Sequence, residues 1–531
     1  MCLQVKFRIL GYSSLIGILL LLNQPKTFGG EDLAFPGAMG WGAETSGGRG
    51  GQIIRVTNLN ASGPGSFSEA IKTSGPRIII FEVGGVIDLQ GEQIRIYEPY
   101  VTIAGQTAPS PGITIIRGGI SIRTHDVIIQ HIMVRKGMGG RATPGGGISI
   151  RGEKGNRAHD IIIDHCSVTW GAGNHISVTG GSDGQIGDTI DERRLNMGNR
   201  VTISNNIIGE GLVENEGRGS LIHNNVTNVA ILRNLYTKTL DRNPRTNYGV
   251  HVVVANNMVY NWTFRAGVFG GGSGELIEDN KLTWIGNYGQ VGPATMEAGR
   301  VPASRPLGYF NSINGNYYYV YKEDNIHFDA EGNPQAIYGI SSNAQGTVHF
   351  IEEIDLWHAS IELLPASGVP SYLEANVGAR PWDRDPIDQR LVNEAMTLTG
   401  TVISHEEQVG GYPDYEETYR EFSADEWDLK YVIPLAGYWD SPEPIFPGNN
   451  YVFSGREAIL KWDDADYFTH FTVQIALDEA FSSPIIDETG LEKTTYSVDN
   501  LLDGKSYYWR IRGYNATGPS KWSERRKFSV E

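Results

Sequence analysis

A four-residue phrase that returns along the middle of the chain limits the possible folds more than any other feature. It reads Ile-Ile-Gln-His at Ile128–His131 and Ile-Ile-Asp-His at Ile162–His165. It returns as Ile-Ser-Asn-Asn (Ile203–Asn206), Ile-Leu-Arg-Asn (Ile231–Asn234), Val-Ala-Asn-Asn (Val254–Asn257) and Ile-Glu-Asp-Asn (Ile277–Asn280). The closing residues of the last four copies lie 28, 23 and 23 positions apart. A repeat of about two dozen residues that carries a short apolar strand and a recurring Asn is the signature of a β-solenoid. Asn accepts a left-handed corner at little cost and can stack its amide from rung to rung. His131 and His165 stand at the same corner, so they read as ladder or core residues rather than catalysts. Cys166, alone in an apolar strand, reads as a buried inert thiol.

Upstream, Ile78 to Val83, Val101 to Ala104, Ile113 to Ile116 and Val127 to Ile129 are too short for helices and almost continuously apolar. Strands buried on both faces of a stack have that pattern, whereas sandwich or barrel strands alternate. The 67 glycines include Gly47-Gly48-Arg49-Gly50-Gly51, which lacks phosphate-loop spacing. Ser66-Phe67-Ser68-Glu69 predicts a capped short helix at one end of the solenoid. Ile351 to Leu364 has helical character, and Asp385-Pro386 opens a further helix through Val392. The fold class expected is all-β: a solenoid followed by a small sandwich. The proline-rich stretch 437–448 is a linker. Residues 449–531 carry short strands such as Ala458–Trp462, Phe471–Ile475 and Tyr507–Ile511 between regular turns.

Residues 1–30 read as a secretory signal: Lys6 and Arg8 precede an apolar run from Ile9 to Leu22, with cleavage between about Asn23 and Gly30. We therefore expect a secreted, monomeric protein comprising the domain 31–436, the linker and the C-terminal module. The net charge of −17 repels nucleic acid and anionic membranes. It would also repel an acidic polysaccharide unless cations gathered locally. Leu240-Asp241-Arg242-Asn243-Pro244-Arg245, with Lys238 nearby, is such a gathering. Arginines are poor bases in water, but two held by a stiff turn suit the grip of carboxylates.

Several ordered motifs resemble the secreted pectate lyases of polysaccharide lyase family 1. They are Ala34-Phe-Pro-Gly-Ala-Met-Gly40, Ile103-Ala-Gly-Gln-Thr-Ala108, Asp164-His-Cys-Ser-Val-Thr-Trp-Gly171, Arg242-Asn-Pro-Arg245, Asp385-Pro-Ile-Asp-Gln-Arg390 and Val409-Gly-Gly-Tyr-Pro413. The resemblance covers roughly residues 34 to 415. It implies a right-handed parallel β-helix and β-elimination on polygalacturonate (pectate or pectin), with Arg242 as general base and Arg245 and Lys238 as substrate-binding cations. The C-terminal module resembles a fibronectin type III domain, including the Tyr507 corner.

Calcium is the family's cofactor, yet the chain departs from the pattern there. Gly146, Gly173 and Asn174 stand where relatives carry carboxylates. Hard cations need several anionic oxygens. Glu210, Glu214 and Glu216, and Asp183, Asp188, Asp191 and Glu192 in an inserted loop, are substitute candidates. Without the usual ligands two further routes stand open: an esterified substrate, already neutral, or an ion held mostly by the substrate. Two readings stand beside the lyase: a β-helix that binds carbohydrate without cleaving it, and a lyase for a different uronic polymer. A hydrolase would need a carboxylate pair at a set distance, and none is identifiable.

Overall fold

The computed structural model describes residues 33–531 apart from 141–145, 154–155, 172, 181–188, 272–277, 298–305, 312–316, 435–440, 464–467 and 516–517. The expected leader lies outside the described residues, as do Asp183 and Asp188. No helix among the described residues is long and apolar enough to cross a membrane.

Successive strands do not pair with their neighbours in sequence. They pair with strands one coil earlier and later, building sheets of 11, 9 and 10 strands among the described residues, the last of these ending in a short antiparallel strand, Thr418–Tyr419, from outside the coils. The registers are parallel and unbroken: Ile161, Ile162 and Ile163 face Val127, Ile128 and Ile129 on one side and Val201, Thr202 and Ile203 on the other. The molecule is thus a parallel β-helix, each coil donating one strand to each sheet. Inward Ile and Val side chains from all three sheets fill a single continuous core. That explains why the strands lack alternation. Every backbone edge is covered by the next coil, and both strand faces are buried.

The corner between the first and second strands of a coil is where the repeated phrase sits. Asn206, Asn234, Asn257, Asn287 and Asn325 form a ladder whose Oδ1 atoms accept from the backbone and side chain of the preceding Asn at 2.9–3.0 Å. Cys166 occupies the same position one coil earlier, and its N–H donates to Asn206 Oδ1. Its thiol is buried and its pKa is pushed up to about 12, chiefly by desolvation. His131 and His165 lie one residue before the ladder, with positive φ of 58° and 46°, and their rings stack. One expectation needs correcting. Asn280 is not a rung of the ladder but opens the strand Asn280–Ile285; the rung is Asn287. The intervals are therefore 28, 23, 30 and 38 residues, because the coil-to-coil loops lengthen.

The short helix Phe67–Ala70 forms as expected, with Ser66 Oγ accepting from Glu69 N at 3.2 Å. Phe67, Ala70 and Ile71 cover the end of the core. Asp385 caps the helix Pro386–Thr397 and, with Asp388, neutralises the fully buried Arg135. Residues 351–364 form no helix. Leu356 and Ile361 lie flat on the outer face of the first sheet, against Leu232, Val253 and Ile285. Backbone groups there bond outward, Leu364 N to Asn256 Oδ1 and Leu356 O to Thr283 Oγ1, so the apolar spacing serves docking rather than helix formation.

The C-terminal strands form a three-stranded and a six-stranded sheet about a separate core that includes Trp462, Val473, Trp509 and Phe528. Leu502 N donates to Tyr507 Oη at 2.7 Å, the corner bond expected from the sequence.

Candidate active site

The loop from the second to the third strand of one coil carries Arg242. Two bonds dock it on the third sheet and one braces it internally. Gly219 N donates to Asp241 O at 2.9 Å, Ser220 N donates to Arg242 O at 2.7 Å, and Thr239 Oγ1 donates to Asn243 Oδ1 at 2.6 Å. A Cβ on Gly219 would lie 2.3 Å from Arg242 O, so only glycine permits this approach. Arg242 has a left-handed φ of 69°, and its N–H is capped by Asp241 Oδ1.

The third sheet sets Asn174 opposite Arg218 and Leu221 opposite Arg245, with Val268 opposite Arg245 on the far side. Four guanidiniums thereby gather along one face. Arg242 Nη1 donates to Asn174 Oδ1 at 2.7 Å, while its buried Nε has no partner among the described residues. Arg245 Nε donates to Asn247 Oδ1 at 3.2 Å. Arg218 meets Glu216, a two-thirds exposed carboxylate, at 2.7 Å. Arg265 lies over Phe264 and Tyr309, 4.6 and 5.2 Å from their ring centroids. Beneath Arg218, His175 is buried and neutral; its Nδ1 donates to Arg218 O and its Nε2 accepts from Gly171 N, anchoring the start of that strand.

This crowding has an electrostatic consequence. Burial, with the nearby charges of Arg218 and Arg245, brings the Arg242 pKa down to about 10, and Asp241 and Glu216 offset only part of it. Arg245 is also lowered, first by burial and then by Arg265 and Arg218, with Asp241 working against them. A guanidine partly freed of its proton at mildly alkaline pH becomes available as a base.

Lys238 does not belong to this face. It is 1% exposed and sits between Glu210 and Glu394. Glu210 is itself fully buried, bound by Arg390 through both oxygens at 2.6 and 2.7 Å and by Trp170 Nε1 at 2.9 Å. The sequence expectation that Lys238 grips substrate is therefore corrected: its ammonium is consumed by a buried ion cluster that fastens the helix Pro386–Thr397 to the coils.

The calcium candidates fare no better. Glu210 is saturated by cations, Glu216 pairs with Arg218, Glu214 is exposed, and Asp191 and Glu192 lie in the short helix Ile190–Arg194. At the family positions, a Cβ on Gly146 would fall 1.7 Å from Asn174 O, so this backbone leaves no room for a carboxylate there. Gly173 has positive φ, and the Asn174 amide oxygen is taken by Arg242. No group of His, Cys, Asp and Glu among the described residues is arranged to hold a metal. The described residues do not fit calcium.

Arg218 is the member of this face that sequence reading missed. The register could have revealed it, since it stands one coil after Asn174, but the link appears only when loops of unequal length are aligned.

No family model matches the chain. A probable pectate lyase C of Emericella nidulans is 33% identical over 389 residues, 72% of this chain and 81% of that protein. One from Neosartorya fischeri is 34% identical over 390 residues, 71% and 81% of the two chains. The chain belongs to the pectate lyase family. It is accordingly a lyase, and the arginine face belongs to a pectate lyase coil. Among solved structures, a pectate lyase bound to a hexasaccharide is 15% identical, with a TM-score of 0.45 over 66% of this chain and 99% of that one.

Proposed function

We propose that the protein is a secreted lyase that cleaves polygalacturonate at unesterified uronic acids without calcium, with guanidiniums in the metal's place. The observation that carries this reading is the replacement at Asn174. Where the family's carboxylates would hold an ion, an amide holds Arg242 and a cation, Arg218, stands alongside in register.

β-Elimination takes the proton from C5 of a uronate ring. The C5–H electron pair becomes the C4=C5 double bond, and the C4–O bond breaks, leaving the alkoxide to take a proton from solvent. The step is slow while the adjacent carboxylate stays fully anionic, because charge builds on it as an enolate forms. Arg218 and Arg245 supply fixed positive charge where that density develops. Arg242 takes the proton. Asn174 Oδ1 keeps a proton on Nη1, which leaves the other terminal nitrogen to receive the one from C5. Arg265 with Phe264 and Tyr309 offers a charged, aromatic surface to a neighbouring ring. The three cations that remain on this face, Arg218, Arg245 and Arg265, favour free carboxylates over methyl esters, whose neutral oxygens carry no charge to match them.

Formation of unsaturated product, followed by ultraviolet absorbance, tests this reading. Polygalacturonate should yield product equally with added calcium and with chelator, and highly methylated pectin should yield less. Loss of activity in chelator would overturn the arginine reading. Tight binding without any product would favour a carbohydrate-binding β-helix instead.

A further inference from the structure

The corner of the coils that carries the Asn ladder opens on a cavity of about 430 Å³, whereas Arg242 lies on the loop between the second and third strands. The cavity lies in the roughly 300–1,000 Å³ range of small-molecule sites, at the end suited to one or two sugar rings. Its floor is the stacked pair His131 and His165, with ring centroids 5.3 Å apart, and Trp382 leans on His131 at 4.8 Å. His131 Nδ1 donates to Ala379 O at 2.7 Å. His165 Nδ1 is held by the buried Asp164, whose other oxygen accepts from Ser204 Oγ and Asn205 Nδ2, at 2.7 and 2.9 Å. This arrangement fixes the His165 ring and leaves its Nε2 as the group that can meet a ligand.

Two polar atoms on the walls lack partners. Gln106 is 3% exposed; its amide nitrogen is used by Val432 O and Gln130 Oε1, but its Oε1 is buried with no partner among the described residues. Arg233 packs its guanidinium 4.7 Å from the Tyr372 ring centroid; its Nη1 donates to Tyr372 Oη at 3.3 Å and its Nη2 to Glu362 O at 2.8 Å, while its buried Nε has no partner among the described residues and no carboxylate neutralises its charge there. Buried polar atoms are nearly always paired, so unpaired ones beside a cavity point to a ligand.

We infer that this cavity binds a short uronic-acid saccharide, one or two rings long, at a site separate from the arginine cleft. Aromatic faces suit a pyranose ring. His165 Nε2 and Gln106 Oε1 accept from hydroxyls, and Arg233 meets the carboxylate. This site takes no part in the elimination chemistry.

Calorimetric titration of the full chain with digalacturonate tests it. A one-to-one site should persist in Arg242→Ala. It should weaken at least about tenfold in Arg233→Met and be lost in Asn376→Trp. Asn376 lines the cavity at a partly exposed position, where its side-chain amide donates to Tyr372 O at 2.9 Å. Asn376→Trp should still cleave polymer at the wild-type rate, which shows that it folds. A neutral galactose disaccharide should not bind. Three results would overturn the inference: no site in the wild-type chain, a site abolished by Arg242→Ala yet retained in Asn376→Trp, or equal affinity for the neutral sugar.

Discussion

Replacing Glu210 by Gln should remove a pH-dependent part of the protein's stability, and the size of that part can be worked out. Burial alone would raise this carboxyl's pKa. Arg390 and Lys238 outweigh that effect and hold it at about 2, against an ordinary value of 4.5. A difference of this size corresponds to about 3 kcal/mol at neutral pH, similar to the 3–5 kcal/mol expected on breaking a buried ion cluster. Because the folded value is depressed, the stabilisation is complete above about pH 4.5 and is lost as pH falls through about 2. Gln keeps an acceptor for Trp170 Nε1 but carries no charge for the two cations. Urea unfolding of both proteins between pH 7 and pH 3, followed by near-ultraviolet circular dichroism, isolates the effect, since other titrating groups cancel in the difference. The wild type should lead by about 3 kcal/mol at pH 7 and by about 1.5 kcal/mol at pH 3. A lead that stays constant across this range would refute the reasoning.

Two further predictions concern the ladder and the cleft. Asn234→Leu leaves the buried Asn206 N–H and side-chain amide without their 3.0 and 2.9 Å acceptor. It should cost about 3 kcal/mol or more in the same unfolding assay, because orphaned buried donors cost about 1–3 kcal/mol each. Arg218→Met removes a charge that helps depress the Arg242 pKa. The alkaline limb of kcat/KM should therefore move to higher pH, with a drop of about 100-fold or more at pH 8.

The β-helix was legible because its cause is local. Each coil must carry a short apolar strand and a corner residue that tolerates positive φ, so Asn206, Asn234 and Asn257 leave a period in the sequence. The rung at Asn287 was misassigned to Asn280 because a longer loop broke the spacing while a similar phrase stood nearby. Arg242 and Arg245 could be singled out as neighbours flanking a proline. The partners that give them their character could not. Arg218 and Asn174 lie 24 and 68 residues before Arg242, joined to it only by the coil register. Lys238 looked like a free cation because Glu394, 156 residues on, and Glu210 close round it only in the folded chain. Residues 351–364 misled for a related reason: apolar spacing that suits a helix also suits a strap laid across a sheet.

The central claim is that Arg242, held at about pKa 10 by burial and its fellow guanidiniums, takes the C5 proton. Its most direct test is the pH dependence of kcat/KM on polygalacturonate, in chelator, for the wild type and for Arg242→Ala. The account predicts a wild-type rate that rises about tenfold per pH unit and levels near pH 10, and a variant lower by about 10²–10⁴-fold with that rise gone. A variant that keeps both the rate and the alkaline rise would contradict it.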